Sequence, residues 1–240
     1  MIFSGYGKLL GKIVEYACSV SLKTTYHGIY NGPMLPVNQL SARFSQNPLF
    51  INEFQGYLHA GNHCPIKGTF HPPYDFIDPT TEQGLSVKSI MDNSMSKVSP
   101  SVIGQPSTKK FCQIFDFHQG DEEHIKYQVT TNIDSMMPLY FNHTFSYPIL
   151  FYHAKKDICM VVKAKEDCPI PWNDQNFVFS HQLKNKNWVE SSSISMKKKR
   201  GYSKSLGEFQ FHRNRDCIKF RFSLSSLLEE FPQHFLIQQW

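Results

Sequence analysis

No stretch of the sequence approaches 18 consecutive apolar residues, and the N-terminus lacks the apolar core and small-residue cleavage site of a secretory signal. The first absence excludes a multispanning membrane protein, and we expect neither a signal peptide nor a membrane span. The six cysteines are scattered over 240 residues without a C-x-x-C pair, which is not the density of a disulfide scaffold. We therefore expect an intracellular protein with reduced thiols.

Several catalytic motifs are also missing. The sequence contains no H-E-x-x-H, no G-x-S-x-G and no G-x-x-x-x-G-K-S/T, so the signatures of zinc proteases, serine hydrolases and P-loop proteins are absent. No Asp or Glu is followed two positions later by Lys, which removes the D/E-x-K half of a common metal-dependent nuclease site. These absences favour a non-enzymatic structural protein, although they leave an enzyme open.

Aromatic residues, by contrast, are abundant, with 20 Phe and 11 Tyr in the chain. Aromatic and β-branched runs recur at a spacing of roughly 8–12 residues, which is typical of an antiparallel sheet, sandwich or barrel. The runs are 111–117, 124–131, 139–145, 149–153 and 158–164. We predict a β-rich α+β fold, with an antiparallel sandwich or barrel built mainly from residues 110–222 and a few peripheral helices.

The rest of the chain is predicted to complete a single domain over residues 1–240. A helix is predicted over 7–20, because apolar residues recur there at three- and four-residue steps with Lys8 and Lys12 between them. The residues expected to be buried are Leu10, Ile13, Val14 and Ala17. Residues 79–108 show no sustained period and are predicted to be a long loop or linker, and 190–205 is predicted to be a basic loop.

The basicity of the chain is local. Lys and Arg number 25 against 20 Asp and Glu, a net charge of +5. The stretch 190–221 contains three acidic residues and nine basic ones, so it carries +6 and the remainder carries −1. The nine are Lys197, Lys198, Lys199, Arg200, Lys204, Arg213, Arg215, Lys219 and Arg221. A local basic patch indicates contact with nucleic acid or another polyanion.

Phenylalanines alternate with these cations on a predicted hairpin, at Phe209, Phe211, Phe220 and Phe222. Exposed rings would stack on unpaired bases, whereas buried rings would belong to the core and leave the contact to the cations. The main interpretation is a nucleic-acid-binding structural protein that uses this region. The tetrad 197–200 is also the pattern of a nuclear-import signal. A third interpretation is a protein-interaction scaffold whose aromatic residues line a partner groove.

A catalytic alternative comes from Tyr26-His27-Gly28, which resembles the tripeptide on the first strand of ADP-ribosyltransferases of the His-Tyr-Glu type. The resemblance implies an NAD-dependent transferase in which His27 orients the NAD ribose, Tyr57 stacks on the nicotinamide, and Glu166 or Glu208 polarises the ribose. Ile29 stands where that family usually has a small hydroxyl residue.

A metal site is the other alternative. Imidazole and thiolate groups are the ligands that Zn²⁺ prefers, and the densest cluster of them lies in a segment rich in Gly and Pro. The candidate ligands are His59, His63, Cys64 and His71. Their spacing does not match the paired ligands of known zinc fingers, so a polar loop without metal is the competing interpretation.

Overall fold

The computed structural model describes residues 3–61, 74–91, 97–98, 107–117, 122–184, 187–197, 204–212 and 217–240. The chain divides into two compact units. Unit 1 comprises Met1–Asn93, Tyr147–Lys163 and Leu236–Trp240, and unit 2 comprises Ser94–Ser146 and Ala164–Phe235. The single domain over residues 1–240 stays a prediction beside this division.

The helices and strands are numbered in chain order. The helices are α1 (Phe3–Ser21), α2 (Met34–Ser45), α3 (Pro48–Phe54), α4 (Thr108–Ile114), α5 (Glu122–Thr131), α6 (Ile133–Thr144) and α7 (Leu224–Glu230), with a 3₁₀ turn at Pro232–His234. The strands are β1 (Leu58–His59), β2 (Phe76–Ile77), β3 (Gly84–Ile90), β4 (Lys97–Val98), β5 (Ile149–His153), β6 (Ile158–Ala164), β7 (Phe177–Lys184), β8 (Asn187–Met196), β9 (Ser205–His212), β10 (Cys217–Ser223) and β11 (Phe235–Gln239).

Unit 1 is built on a six-stranded sheet in the order β1-β2-β3-β5-β6-β11. Strands β1, β2 and β3 form an antiparallel meander, in which Phe76 is paired with both His59 and Leu85. Strand β5 then runs parallel to β3 and antiparallel to β6. A parallel neighbour requires a crossover connection, and the chain between β3 and β5 provides it.

Helix α1 packs its apolar face into the core of unit 1, as the sequence predicted. Leu10, Ile13, Val14 and Ala17 are buried in one cluster with Leu85 and Val87 of β3, whereas Lys8 and Lys12 are exposed. Helix α3 begins at a well-defined cap, because the Asn47 side chain accepts hydrogen bonds from the backbone N–H groups of Leu49 and Phe50, which have no partner inside the helix.

Unit 2 contains a five-stranded antiparallel sheet in the order β4-β10-β9-β8-β7. The alternation predicted for β9 and β10 is confirmed. Phe209 and Phe220 are paired across the two strands, and all four phenylalanines of this hairpin are buried. Lys219 and Arg221 lie on the opposite face and are only partly buried.

The β-rich α+β class is confirmed, and neither sheet closes into a barrel. Three of the predicted strands are nevertheless wrong, because 111–117, 124–131 and 139–145 lie largely in helices α4, α5 and α6. Their residue types suit strands, but their spacing is helical. In α6 the buried residues Ile133, Met136, Met137, Tyr140, Phe141 and Thr144 follow three- and four-residue steps, which place them on one helix face.

The predicted loops also need correction. Within 79–108, residues 84–90 form strand β3 and residues 97–98 form β4, while 92–96 and 99–106 lie outside the described residues. Strand β3 is buried over most of its length, so it does not show the alternation of a half-exposed strand. Residues 190–196 of the predicted basic loop belong to β8. Among the described residues, no helix has both the length and the apolarity that crossing a bilayer requires.

Candidate active site

A buried turn in unit 1 brings an acidic side chain against strand β3. Asp75 directly precedes β2, and its backbone is fixed on both sides, because its N–H donates to the Leu85 carbonyl and its carbonyl accepts from the Ala60 N–H, each at 2.9 Å. Its Oδ2 accepts from the Val87 N–H at 2.5 Å and from the Ser86 hydroxyl at 3.3 Å. The carboxylate therefore has a defined position at the pairing of β2 and β3.

Lys88, two residues after Ser86 on β3, lies close to the same carboxylate. Lys88 Nζ lies 3.8 Å from Asp75 Oδ2 and donates to Ser86 Oγ at 2.8 Å. Residues two apart in a strand share a face, so Ser86 and Lys88 project to the same side. The Lys88 side chain is 40% exposed and that of Asp75 31% exposed. We call Asp75, Ser86 and Lys88 the Asp75 cluster, and solvent can reach it.

Helix α1 supplies a second carboxylate. Glu15 Oε1 lies 2.7 Å from Nε2 of His59, whose side chain is only 2% exposed. The electrostatic influence of Glu15 extends to the Asp75 cluster, since its charge helps to raise the pKa of Asp75. Two carboxylates from α1 and the start of β2 therefore share one electrostatic environment.

Burial has the largest influence on the titratable groups of this region, and the two carboxylates add to it. Burial raises the pKa of Asp75, the Lys88 ammonium group and the Val87 N–H oppose that rise, and Glu15 adds a smaller increase. Burial, followed by Glu15 and then Asp75, raises the pKa of the Tyr26 hydroxyl to about 12. Burial and the same two carboxylates raise the pKa of the Cys18 thiol well above its ordinary value. A cation would be stabilised here.

The donor set fits one class of metal ion. Mg²⁺ takes oxygen ligands and is usually held by one or two carboxylates together with water and substrate phosphates. Asp75 and Glu15 supply carboxylate oxygens of this kind, and the charge of Glu15 acts on Asp75. In the part of the chain that the structure describes, no three His, Cys, Asp or Glu side chains form a self-sufficient metal site, so a fully protein-ligated ion is not supported there.

The basic residues predicted to bind nucleic acid are described in part. The described cations engage partners of their own chain. Lys197 donates to the Asp174 carbonyl, Lys204 pairs with Glu229, and Arg221 pairs with Glu208. Lys219 is partly buried on β10. The others, Lys198, Lys199, Arg200, Arg213 and Arg215, lie outside the described residues. Their role in nucleic-acid binding stays a prediction.

The rings that alternate with these cations do not form a stacking surface. Phe209 and Phe222 are completely buried, and Phe211 and Phe220 are 5% and 3% exposed. Because stacking on a base requires an open ring face, the interpretation in which the phenylalanines are core is the correct one. Among the described residues of this region, contact with a polyanion would depend on the cations.

The residues of the NAD alternative are dispersed over both units. His27 is exposed and Tyr57 buried in unit 1, where the Tyr57 ring packs against Phe54 at 5.2 Å. Glu166 is exposed in unit 2, and Glu208 pairs with Arg221. No position corresponding to bound NAD follows from these placements, and the transferase activity stays a prediction.

The structure describes one of the four candidate zinc ligands, His59. His59 uses both ring nitrogens within the chain, because Nε2 contacts Glu15 and Nδ1 accepts from the His27 N–H at 3.2 Å. His63, Cys64 and His71 lie outside the described residues, so zinc binding there stays a prediction.

Sequence reasoning missed Asp75, Lys88 and Glu15. The linear nuclease signature is absent from the sequence, because it requires a carboxylate two residues before the lysine and Ser86 occupies that position. The sequence does contain the carboxylate and the lysine of such a site, as Asp75 and as Lys88 in Ser86-Val87-Lys88. They can be recognised as one site only when β2 and β3 are known to pair.

Comparison with known proteins gives one informative similarity. Over 232 residues, 94% of this chain, the sequence is 32% identical to the type II restriction enzyme CviAII of Paramecium bursaria Chlorella virus 1. The chain spans 61% of the length of that enzyme. No family model matches the chain, and no solved structure matches it. The matched protein is an enzyme, whereas the sequence analysis favoured a non-enzymatic structural protein.

Proposed function

We propose that this chain is a DNA endonuclease that hydrolyses phosphodiester bonds at the Asp75 cluster. The observation that carries the proposal is the Lys88 ammonium group 3.8 Å from the Asp75 carboxylate, at the pairing of two antiparallel strands. Lysine with a carboxylate is the part of the D/E-x-K nuclease signature that the sequence lacks as a linear motif. The similarity to a type II restriction enzyme supports DNA as the substrate.

Asp75 and Glu15 would hold a divalent cation, with Mg²⁺ as the ion that suits two carboxylates and a phosphate. Such an ion, when bound, polarises a phosphoryl oxygen and lowers the pKa of a coordinated water molecule. The protein contributes a fixed carboxylate, because the Val87 N–H and the Ser86 hydroxyl both donate to Asp75. A carboxylate held in this way needs no reorganisation when the substrate arrives.

Lys88 would stabilise the phosphoryl group. Its ammonium group donates to Ser86 Oγ, and the Ser86 hydroxyl donates to Asp75, so the serine links the lysine to the carboxylate. A positive charge fixed beside the scissile phosphate stabilises the negative charge that develops on its oxygens in the transition state. Ser86 thus supports the lysine, although it cannot replace the carboxylate of the usual signature as a charged metal ligand.

The direct test of this function is cleavage of supercoiled plasmid DNA by the purified chain. We expect nicking or linearisation with Mg²⁺ and no cleavage with excess EDTA, because the two carboxylates would then lack their cation. Circular dichroism in both conditions controls for folding. Intact plasmid in Mg²⁺ and in Mn²⁺, with folded protein, would contradict the proposed activity.

DNA binding through the basic stretch makes a separate prediction. Replacing Lys197, Lys198, Lys199 and Arg200 with alanine is expected to weaken binding of all duplex sequences alike, because phosphate contacts carry no sequence information. The log–log dependence of affinity on salt should become shallower by about 0.9 for each phosphate contact removed. Gel-shift titrations at several salt concentrations measure both quantities.

The matched control for this variant replaces four exposed lysines elsewhere, Lys109, Lys110, Lys155 and Lys156. It removes a similar charge, so a general loss of positive charge would weaken both variants equally. Equal salt slopes in the tetrad variant and in the wild type would exclude the tetrad from the DNA interface. The nuclear location associated with the tetrad, and an intracellular location in general, stay predictions.

A further inference from the structure

We propose that His59 is a positioning residue that fixes Glu15 as the second carboxylate of the cation site. This inference rests on the proposed function, because it assigns a role within the same site. It starts from the shortest polar contact of the buried imidazole, 2.7 Å between His59 Nε2 and Glu15 Oε1. His59 does not belong to the Asp75 cluster, and it would act through Glu15 rather than on the substrate.

The hydrogen bonds of the ring determine its tautomer. The His27 backbone N–H can only donate, and it points at His59 Nδ1 at 3.2 Å. Nδ1 is therefore the acceptor and carries no proton. In the neutral imidazole the proton then resides on Nε2, which donates it to Glu15. The two contacts together fix which side of the ring faces the carboxylate.

The ring itself is held in place by its surroundings. His59 lies on β1, and its backbone N–H donates to Thr24 Oγ1 at 3.4 Å. Its ring packs 4.8 Å from that of Tyr26 and 5.2 Å from that of Phe76, and Phe76 is the cross-strand partner of His59 next to Asp75. The donor to Glu15 is therefore anchored to the same strands that position Asp75.

The contact leaves one oxygen of Glu15 for a ligand. Among the residues that the structure describes, His59 is the hydrogen-bond partner of the Glu15 carboxylate, and it contacts Oε1. Repulsion from Asp75 would otherwise favour rotation of Glu15 away from the site. The imidazole N–H opposes that rotation, so Oε2 stays available to a cation shared with Asp75. Outer partners of this kind typically change metal affinity by about 10–100-fold when they are removed.

Two substitutions separate this role from a purely structural one. In His59→Asn the side-chain oxygen can replace Nδ1 as acceptor for the His27 N–H, but no donor reaches Glu15. In His59→Gln the longer amide can donate to Glu15 in place of Nε2, but the acceptor for His27 is lost. A positioning role predicts that glutamine preserves cation binding and asparagine impairs it, whereas support of the His27 segment predicts the reverse order.

The measurement is a Mn²⁺ titration of the full chain followed by electron paramagnetic resonance, without DNA or turnover. We expect His59→Asn to raise the Mn²⁺ dissociation constant by about 10–100-fold and His59→Gln to stay close to the wild type. Added to Glu15→Gln, the His59→Asn change should have no further effect, because its action passes through Glu15. Melting curves of the variants control for folding.

Equal Mn²⁺ affinity in the wild type and His59→Asn, equal losses in both His59 variants, or additive losses with Glu15→Gln would each overturn the positioning role. Absence of saturable Mn²⁺ binding to the wild type would overturn it as well. Failure of the proposed function is a different result, since the chain would then leave plasmid DNA intact. Metal-dependent cleavage with unchanged Mn²⁺ binding in His59→Asn would refute His59 alone.

Discussion

Asp75→Asn is expected to lower DNA cleavage by about a thousandfold or more, since a cation contributes several kcal/mol of transition-state stabilisation and each 1.36 kcal/mol is a factor of ten. Asparagine keeps an oxygen that accepts from the Val87 N–H, so the turn before β2 should be retained. What it removes is the negative charge that would hold the cation. Single-turnover cleavage of a labelled duplex at saturating Mg²⁺ measures the loss.

The same substitution should make the protein more stable at neutral pH. Because burial and Glu15 raise the pKa of Asp75, the folded protein binds this proton more tightly than the unfolded chain does. Stability therefore falls as the pH rises from the ordinary carboxyl pKa of 3.8 through the raised value, and the charged form opposes folding above it. Asp75→Asn should show a higher melting temperature than the wild type at pH 7, with the difference shrinking towards pH 3.

Matched variants identify the cause of the loss. Lys88→Ala should also reduce cleavage strongly, because it removes the charge expected to stabilise the phosphoryl oxygens. Lys156→Ala, in the exposed turn between β5 and β6, and Asp78→Asn, in the exposed turn after β2, serve as controls. Near-normal cleavage by both controls and loss in both site variants would support the assignment. Cleavage by Asp75→Asn at the wild-type rate would refute it.

The stability result adds a second constraint. A catalytic group that is held in an unfavourable electrostatic environment often reduces stability, so its neutral variant is more stable and inactive. A merely structural Asp75 would behave differently, because its loss would lower both the melting temperature and the activity. The combination of a higher melting temperature and lost cleavage therefore distinguishes an active-site carboxylate from a fold-supporting one.

The sequence predicted correctly those elements whose own apolar spacing shows which of their residues are buried. Helix α1 and the β9–β10 hairpin were predicted because their apolar spacing is regular over the whole element. Helices α4 to α6 were mistaken for strands because residue type was given more weight than spacing. In α5, Ile125 and Val129 are buried one helical turn apart, and that periodicity, rather than β-branching, reflects the packing of the segment.

The candidate active site could not be predicted because its members meet only through tertiary structure. Glu15 lies on a helix at the start of the chain and Asp75 directly precedes β2. Lys88 lies on β3, which falls within the segment 79–108 that the sequence predicts to be a loop or linker. Only the pairing of β2 with β3 brings the lysine to the aspartate. In its described part, the basic stretch combines internal ion pairs with phenylalanines that belong to the core of unit 2.

The buried phenylalanines of the β9–β10 hairpin lead to a second prediction with a large expected effect, on stability. Phe222→Ala is expected to destabilise the protein by about 3–5 kcal/mol, because truncation of a buried phenylalanine loses its contacts and leaves a cavity. Phe222 is completely buried, and its ring lies within 6.1 Å of those of Phe141, Phe145 and Trp172. Urea denaturation of the full chain, followed by tryptophan fluorescence, measures the loss. Phe222→Leu is the control, since it retains most of the apolar volume.

The two interpretations of the phenylalanines give opposite results for DNA binding. A ring that stacks on bases would lose about 1–3 kcal/mol of affinity on truncation, mainly for single strands. A core ring should leave affinity for both strand forms unchanged at a temperature where the variant is still folded, because the cations on the opposite face of β10 are untouched. A selective loss of single-strand affinity in folded Phe222→Ala would contradict the core assignment. Unchanged affinity with lower stability would support the core assignment and leave DNA contact in this part of the chain to the nine basic residues of 190–221.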